Sequence, residues 1–130
     1  MNNSSAGAES MDARVSQLIA RQQAGVVPFA EVIALIAELY DYTPTAFSNG
    51  VGEDRLDSPA GTNEGSCKVF AFGKLNGLSV EQTLACFGEH YQAVLEDPAG
   101  AGHPNIRLFM RHGWAGIVFA GEALQSRPVS

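Results

Sequence analysis

Apolar side chains recur at intervals of three and four residues in five separate stretches of the chain. This spacing predicts five amphipathic helices, at about residues 10–24, 28–43, 64–75, 79–97 and 103–113. In the second stretch the apolar positions fall on one side, while Glu31 and Glu38 fall on the opposite side. That helix therefore presents a continuous apolar stripe to the core.

The third and fourth predicted helices form a hairpin from Gly65 to Tyr91. The third is apolar on most of its sides, as expected of a central helix. Ser79 opens the fourth helix with Gln82 three residues later, which is the spacing of a capping box. We therefore predict an all-α fold of about five helices with a central helical hairpin, and one short extended segment near residue 117.

A long connection joins the second and third predicted helices. Residues 41–63 show neither helical nor strand periodicity, and they contain turn signals such as Asn49-Gly50. A structureless loop of this length is uncommon in a compact domain and is often functional. The apolar side chains of Tyr42 and Phe47 are expected to hold its first half against the helices.

The 130 residues fit one domain that can bury a core without disulfides or metals. Residues 1–9 are small and polar, so they predict a disordered leader. The single helical domain is predicted to span residues 10–124, and residues 125–130 are predicted to form a frayed tail.

The acidic balance of the chain limits its partners. Fourteen acidic and eight basic side chains give a formal charge of −6, which disfavours nucleic acid and anionic lipid. Every apolar run falls well short of the roughly 20 residues that a membrane span needs. Two cysteines are too few for a disulfide framework and predict a reducing, cytoplasmic environment. The Gly-rich segments lack the features of nucleotide loops, and no cofactor is predicted.

Cys67 is the candidate nucleophile. It lies near the predicted start of the third helix, where free N–H groups and the peptide dipoles favour a thiolate. His90 or His103 as base and Asn49, Asn63 or Asn105 as orienting group would complete a Cys-His-Asn arrangement for hydrolysis or acyl transfer. The alternative is a small core residue, because cysteine is among the most buried residue types. The helical wheel puts Cys67 and His90 at the rim of the core.

Cys86 and His90 lie four residues apart on the predicted fourth helix and therefore share a side that could offer two zinc ligands. Paired Cys-x-x-Cys or His-Glu-x-x-His spacing is absent from the sequence, and Cys86 falls toward the outward flank of the apolar stripe. No metal site is predicted. A histidine beside the core is the simpler interpretation.

Polar side chains near the long connection and the fifth predicted helix are candidates for ligand binding. They are Asn49, Asn63, Lys68, His103, Asn105, Arg107 and Arg111. Two arginines four residues apart could hold a carboxylate or phosphate in forked hydrogen bonds. In an acidic protein they could equally pair with acidic side chains, such as Glu64, Glu89 or those of the loop around Asp54 and Asp57.

Several ordered motifs together resemble the HopJ type III effector family of bacteria, over about residues 28–124. They are Pro28-Phe29-Ala30-Glu31-Val32-Ile33, Tyr42-Thr43-Pro44-Thr45-Ala46-Phe47 with Asn49-Gly50, Asn63-Glu64-Gly65-Ser66-Cys67-Lys68, Phe87-Gly88-Glu89-His90-Tyr91, and His103-Pro104-Asn105-Ile106-Arg107 through Gly113-Trp114. Pro104, between His103 and Asn105, departs slightly from the pattern, and residues 52–61 are less recognisable.

The resemblance implies a small, mainly helical bacterial protein without an established biochemical activity. The residues alone predict a cytoplasmic location in the bacterium, and secretion into a host cell is implied by the resemblance only. From the residues and the resemblance together we predict a binding protein whose partner is an unknown protein or a small anionic ligand. The predicted groove lies between the 41–63 loop, the start of the third helix and residues 103–111. The alternative is the cysteine-dependent hydrolase or acyl transferase.

Overall fold

The computed structural model describes residues 10–127, so the predicted leader at residues 1–9 lies outside the described residues. Within that range the chain forms six α-helices: α1 (Met11–Ala24), α2 (Phe29–Leu39), α3 (Glu64–Leu75), α4 (Val80–Ala85), α5 (Glu89–Glu96) and α6 (Pro104–His112). It also forms five short strands: β1 (Tyr40–Tyr42), β2 (Phe47–Asn49), β3 (Leu56–Ser58), β4 (Val118–Phe119) and β5 (Leu124–Ser126). Two 3₁₀ turns, Gly52–Asp54 and Gly113–Gly116, precede β3 and β4.

The strands make two small antiparallel sheets. Strand β1 pairs with β5, and β2 lies between β3 and β4. The prediction of a mainly helical domain is confirmed, but the fold is α+β and not all-α, because it includes two small sheets. The extended segment predicted near residue 117 is strand β4. Strand β5 occupies the first two residues of the predicted frayed tail, and residues 128–130 lie outside the described part.

The predicted structureless connection at residues 41–63 contains most of β1 and all of β2 and β3. These strands are three residues long, which is too short to show an alternating pattern. In β2, moreover, Phe47, Ser48 and Asn49 are all buried, so apolar and polar positions do not alternate there. The prediction that Phe47 holds this segment against the core is confirmed, since its side chain is 3% exposed and packs on Phe70.

Helix α3 lies at the centre of the core and packs against α2 and α4. The prediction that this helix is apolar on most sides is confirmed, because Val69, Phe70 and Phe72 have no exposed surface. The Phe70 ring contacts those of Phe87 and Phe109, with centroids 5.4 and 4.9 Å away. Aromatic residues from β2, α6 and the α4–α5 junction therefore meet on one side of this helix.

The predicted fourth helix over residues 79–97 is two helices, α4 and α5, which meet at Gly88. The capping box at its start is confirmed, because Gln82 N–H donates to Ser79 Oγ over 3.0 Å and Ser79 N–H donates to Gln82 Oε1 over 2.9 Å. Gly88 has a φ of +57°, and a Cβ there would lie 2.6 Å from the Val27 carbonyl oxygen. The chain therefore bends at a glycine that packs tightly against the α1–α2 connection.

None of the helices between residues 10 and 127 is long and apolar enough to cross a membrane.

Candidate ligand-binding site

A pocket of about 340 Å³ opens where the first turns of α3, α5 and α6 come together. Its polar lining consists of Asn63, Ser66, His90, His103 and Asn105. Four of these five were predicted as site residues, and residues distant in sequence meet here. We call this cavity the histidine pocket. Its volume lies near the lower end of the range for small-molecule sites, roughly 300–1,000 Å³.

Two unusual backbone positions shape the histidine pocket. Asn63 and His103 have φ values of 51° and 55°, and within residues 10–127 they are the non-glycine residues with positive φ. Each immediately precedes a helix, α3 or α6, and neither side chain caps that helix. The backbone N–H groups of Gly65, Ser66 and Asn105 consequently have no acceptor among the described residues.

The two histidines lie side by side. The ring centroids of His90, in the first turn of α5, and His103, before α6, are 5.1 Å apart. The His90 ring also meets the Phe29 ring edge-on, with 4.9 Å between centroids. His90 is half-buried, whereas His103 is exposed, so the pair forms part of the wall that faces solvent.

Asn105 turns one half of its side-chain amide toward the interior. A nitrogen of the Asn49 side chain lies 2.8 Å from the Asn105 carbonyl oxygen, which can only accept. That atom is therefore Nδ2, and the Asn105 atom 3.0 Å from it must be the acceptor Oδ1. The other atom of this amide, Asn105 Nδ2, donates to no described residue. The Asn105 residue as a whole is 4% exposed and lines the pocket.

Asn49 is placed behind the pocket wall, not in it. It has no exposed surface, and both hydrogen bonds from its Nδ2 go to Asn105. Its Oδ1 is buried without a hydrogen bond to any described residue. Asn49 thus fixes the orientation of Asn105, which is a positioning role, whereas the sequence had suggested direct ligand contact.

The histidine pocket is not lined by any lysine or arginine, and one acidic residue, Glu89, adjoins His90 in the chain. Glu89 begins α5, and its Oε1 accepts a hydrogen bond from the Phe29 N–H over 2.8 Å. That hydrogen bond, helped by the nearby His90, lowers the pKa of the Glu89 carboxyl below its ordinary value. The Glu89 carboxylate therefore already accepts a hydrogen bond from the first residue of α2.

The three predicted cationic ligands have partners outside the histidine pocket. Lys68 Nζ lies 4.6 Å from the centre of the Tyr42 ring. Arg107 donates to the carbonyl oxygens of Gly102 and Pro98 and so braces the α5–α6 connection. Arg111 donates to Asp54, which confirms the alternative interpretation that this arginine pairs with the acidic loop.

Cys67 has no exposed surface, and its thiol donates weakly to the Thr45 carbonyl oxygen over 3.5 Å. Burial raises the pKa of the Cys67 thiol, although a hydrogen bond with Tyr42 opposes that effect. The rim position expected from the helical wheel is wrong for this residue. Both properties disfavour a thiolate nucleophile, which needs a lowered pKa and access to substrate.

Cys86 is also fully buried, so its predicted place on the outward flank is wrong. Its thiol donates to the Gln82 carbonyl oxygen and accepts from Gln22 Nε2. Burial raises the pKa of Cys86 to about 11. Because α4 ends before Cys86 and α5 begins after Gly88, Cys86 and His90 do not share one helix. Across residues 10–127, no group of three or more His, Cys, Asp or Glu side chains is placed to hold a metal ion.

Ser66 and the apolar lining were not predicted as site residues. Ser66 lies in the first turn of α3, three residues after Asn63, so its place at the start of a predicted helix was a usable signal. Pro104 at the first position of α6 similarly marks His103 as the residue before a helix. The sequence did not indicate that Phe29 lines the pocket, because Phe29 lies in α2 and only the tertiary packing brings it to this cavity.

The family model described as HopJ type III effector protein matches residues 14–124, which is most of the chain. The chain belongs to the HopJ family. A crystal structure of VPA0580, described as a protein of unknown function, has the same fold as this HopJ protein, with a TM-score of 0.81. The two sequences are 41% identical, and the match covers 92% of this chain and 95% of that one. No curated protein matches the HopJ chain.

Proposed function

We propose that this HopJ protein is a binding protein for a small organic anion, held in the histidine pocket. The observation that carries the proposal is Asn105, whose nearly buried amide has a free Nδ2 beside the first turns of two helices. A ligand oxygen in the pocket could accept a hydrogen bond from this Nδ2, which donates to no described residue.

The surroundings of Asn105 favour a negative charge. The free N–H groups of Gly65, Ser66 and Asn105 lie at the positive ends of α3 and α6. The hydroxyl of Ser66 and the imidazoles of His90 and His103 are further hydrogen-bond donors around the same cavity. Several donors therefore converge on one space, and the carboxylate of Glu89, which precedes His90 in the chain, already accepts a hydrogen bond from the Phe29 N–H.

Binding, not catalysis, is the function that these residues support best. The pocket lining contains no cysteine, and Cys67 is buried with a raised pKa. The predicted ligand-binding set is accordingly revised to Asn63, Ser66, His90, His103 and Asn105. Asn49 supports the site from behind, and Lys68, Arg107 and Arg111 contribute to structure elsewhere.

Calorimetric titration of acetate, benzoate and inorganic phosphate into the wild-type protein and Asn105→Asp tests the proposal. The substitution keeps Oδ1 as the acceptor for Asn49 and replaces only the free Nδ2 by an anionic oxygen. The variant should lose at least about tenfold in affinity for whichever anion binds, since a hydrogen bond to a charged group contributes about 1.5–3 kcal/mol.

Two controls separate the site from general charge effects. Gln125→Glu adds the same negative charge at exposed β5, and His112→Gln removes a histidine outside the pocket. Both should bind like the wild type. Equal affinity of Asn105→Asp and the wild type, or no binding of either acetate or benzoate, would contradict the proposal.

A further inference from the structure

The histidine pocket is also lined by apolar side chains, and these bear on what kind of anion fits. The apolar lining comes from Phe29, Phe87, Pro104 and Ile106. The Phe29 and Phe87 rings are nearly parallel, with 5° between their planes and 6.3 Å between centroids. The cavity thus has an aromatic and aliphatic wall in addition to its hydrogen-bond donors. Such a combination binds the apolar body of a ligand and fixes its polar end.

The charges around the pocket disfavour a doubly charged ligand. Phosphate groups are commonly held by lysine or arginine, and neither lines this cavity. The chain carries a formal charge of −6, and Glu64 and Glu89 occupy the first turns of α3 and α5. Neutral donors and imidazoles can satisfy one carboxylate, whereas a dianion would face uncompensated repulsion.

Gly65 brings the donors of α3 close to the aromatic wall. A Cβ at Gly65 would lie 3.0 Å from the Phe29 ring, so any larger residue would displace that ring. The glycine allows the α3 backbone to approach Phe29 directly. Its free N–H group and the ring are consequently within reach of one compact ligand in a cavity of about 340 Å³.

We propose that the ligand is a compact monocarboxylate with an aromatic or branched apolar body. The inference rests on the proposed function and adds the ligand class to it. The donors around Asn105 would hold the carboxylate, and the wall formed by Phe29, Phe87 and Ile106 would cover the body. Neither an inorganic phosphate nor a short hydrophilic acid uses both parts of the cavity.

A matched series of probes tests the ligand class: acetate, benzoate, phenyl phosphate and benzamide, titrated calorimetrically at one pH. Benzoate should bind at least about tenfold more tightly than acetate, because its ring adds apolar contact area. The affinity for benzoate should also exceed the affinities for benzamide and phenyl phosphate, each by at least about tenfold. Benzamide is uncharged, and phenyl phosphate carries a second negative charge. Phe29→Leu should weaken benzoate binding by a larger factor than acetate binding, and the melting temperature of the variant reports whether it folds.

The outcomes distinguish this inference from the proposed function. Tighter binding of phenyl phosphate than benzoate would overturn the monocarboxylate class and leave an anion site in place. Equal affinities for acetate and benzoate would contradict the claim that the ligand has an apolar body. Benzamide binding as well as benzoate would contradict the requirement for charge, and failure of all four probes to bind would overturn both proposals.

Discussion

The imidazoles of His90 and His103 lie 5.1 Å apart between ring centroids, although His90 belongs to α5 and His103 immediately precedes α6. Two backbone features bring them together. The bend at Gly88 sets the direction of α5, and the left-handed conformation of His103 sets the start of α6. The histidine pocket therefore depends on local backbone geometry as much as on the side chains that line it.

The bend at Gly88 leads to a stability prediction. Gly88→Ala should lower the free energy of unfolding by about 3 kcal/mol or more, because the new Cβ would overlap the Val27 carbonyl oxygen. Gly77→Ala is the matched control, since Gly77 also has positive φ but has open space around its Cβ position. It should cost only about 1 kcal/mol. Urea denaturation measures both, and equal losses would contradict the role assigned to the close packing.

The thiols should be unreactive in the folded protein. Burial raises the pKa of both Cys67 and Cys86, that of Cys86 to about 11, and neither side chain is exposed. Iodoacetamide at neutral pH should label neither cysteine natively and both after unfolding. Rapid native labelling that is lost in Cys67→Ser would instead support the cysteine-nucleophile hypothesis.

The raised thiol pKa values also predict a loss of stability in alkali. A group whose pKa is higher in the folded state stabilises fully below its unfolded value, about 8.5 for cysteine, and loses that contribution as the pH rises toward the folded value. The melting temperature should therefore fall between about pH 8.5 and 11, and Cys86→Ala should show a shallower fall. Parallel profiles for the variant and the wild type would contradict this assignment.

Asp54 ties the 3₁₀ turn before β3 to the end of α6. His112 Nε2 and Arg111 donate to Asp54 Oδ2 over 2.9 and 3.0 Å, and these hydrogen bonds lower the pKa of the Asp54 carboxyl. The carboxylate stabilises the fold above its unfolded pKa of about 3.9 and loses that effect as the pH falls through its lowered folded value. The melting temperatures of wild type and Asp54→Asn should differ at pH 6, and the difference should shrink as acid protonates the Asp54 carboxylate. A difference that is constant with pH would contradict the ion-pair account.

The features predicted correctly from sequence were local. The stripe of α2 and the Ser79–Gln82 capping box each depend on residues within a few positions of one another. Strand β2 was missed because Phe47, Ser48 and Asn49 are all buried and show no alternation. The break before α5 was missed because it depends on contact between Gly88 and the distant α1–α2 connection.

The candidate site was only partly accessible from sequence for the same reason. Asn63, His90, His103 and Asn105 were selected by residue type, and the structure brings them to one cavity. Arginines four residues apart suggested an anion clamp, but Arg107 and Arg111 bond to backbone carbonyls and to Asp54. Which polar side chains are left free depends on tertiary partners, and local patterns do not contain that information.

Nuclear magnetic resonance of the histidine side chains tests the central claim most directly, because the chain contains three histidines. Benzoate is added while the imidazole signals and the side-chain amide signals of Asn105 are followed. Binding in the histidine pocket predicts saturable shifts for His90, His103 and Asn105, with His112 unchanged as an internal control. Absence of a saturable shift at His90 and His103, or equal shifts at all three histidines, would contradict the claim that this pocket binds an organic anion.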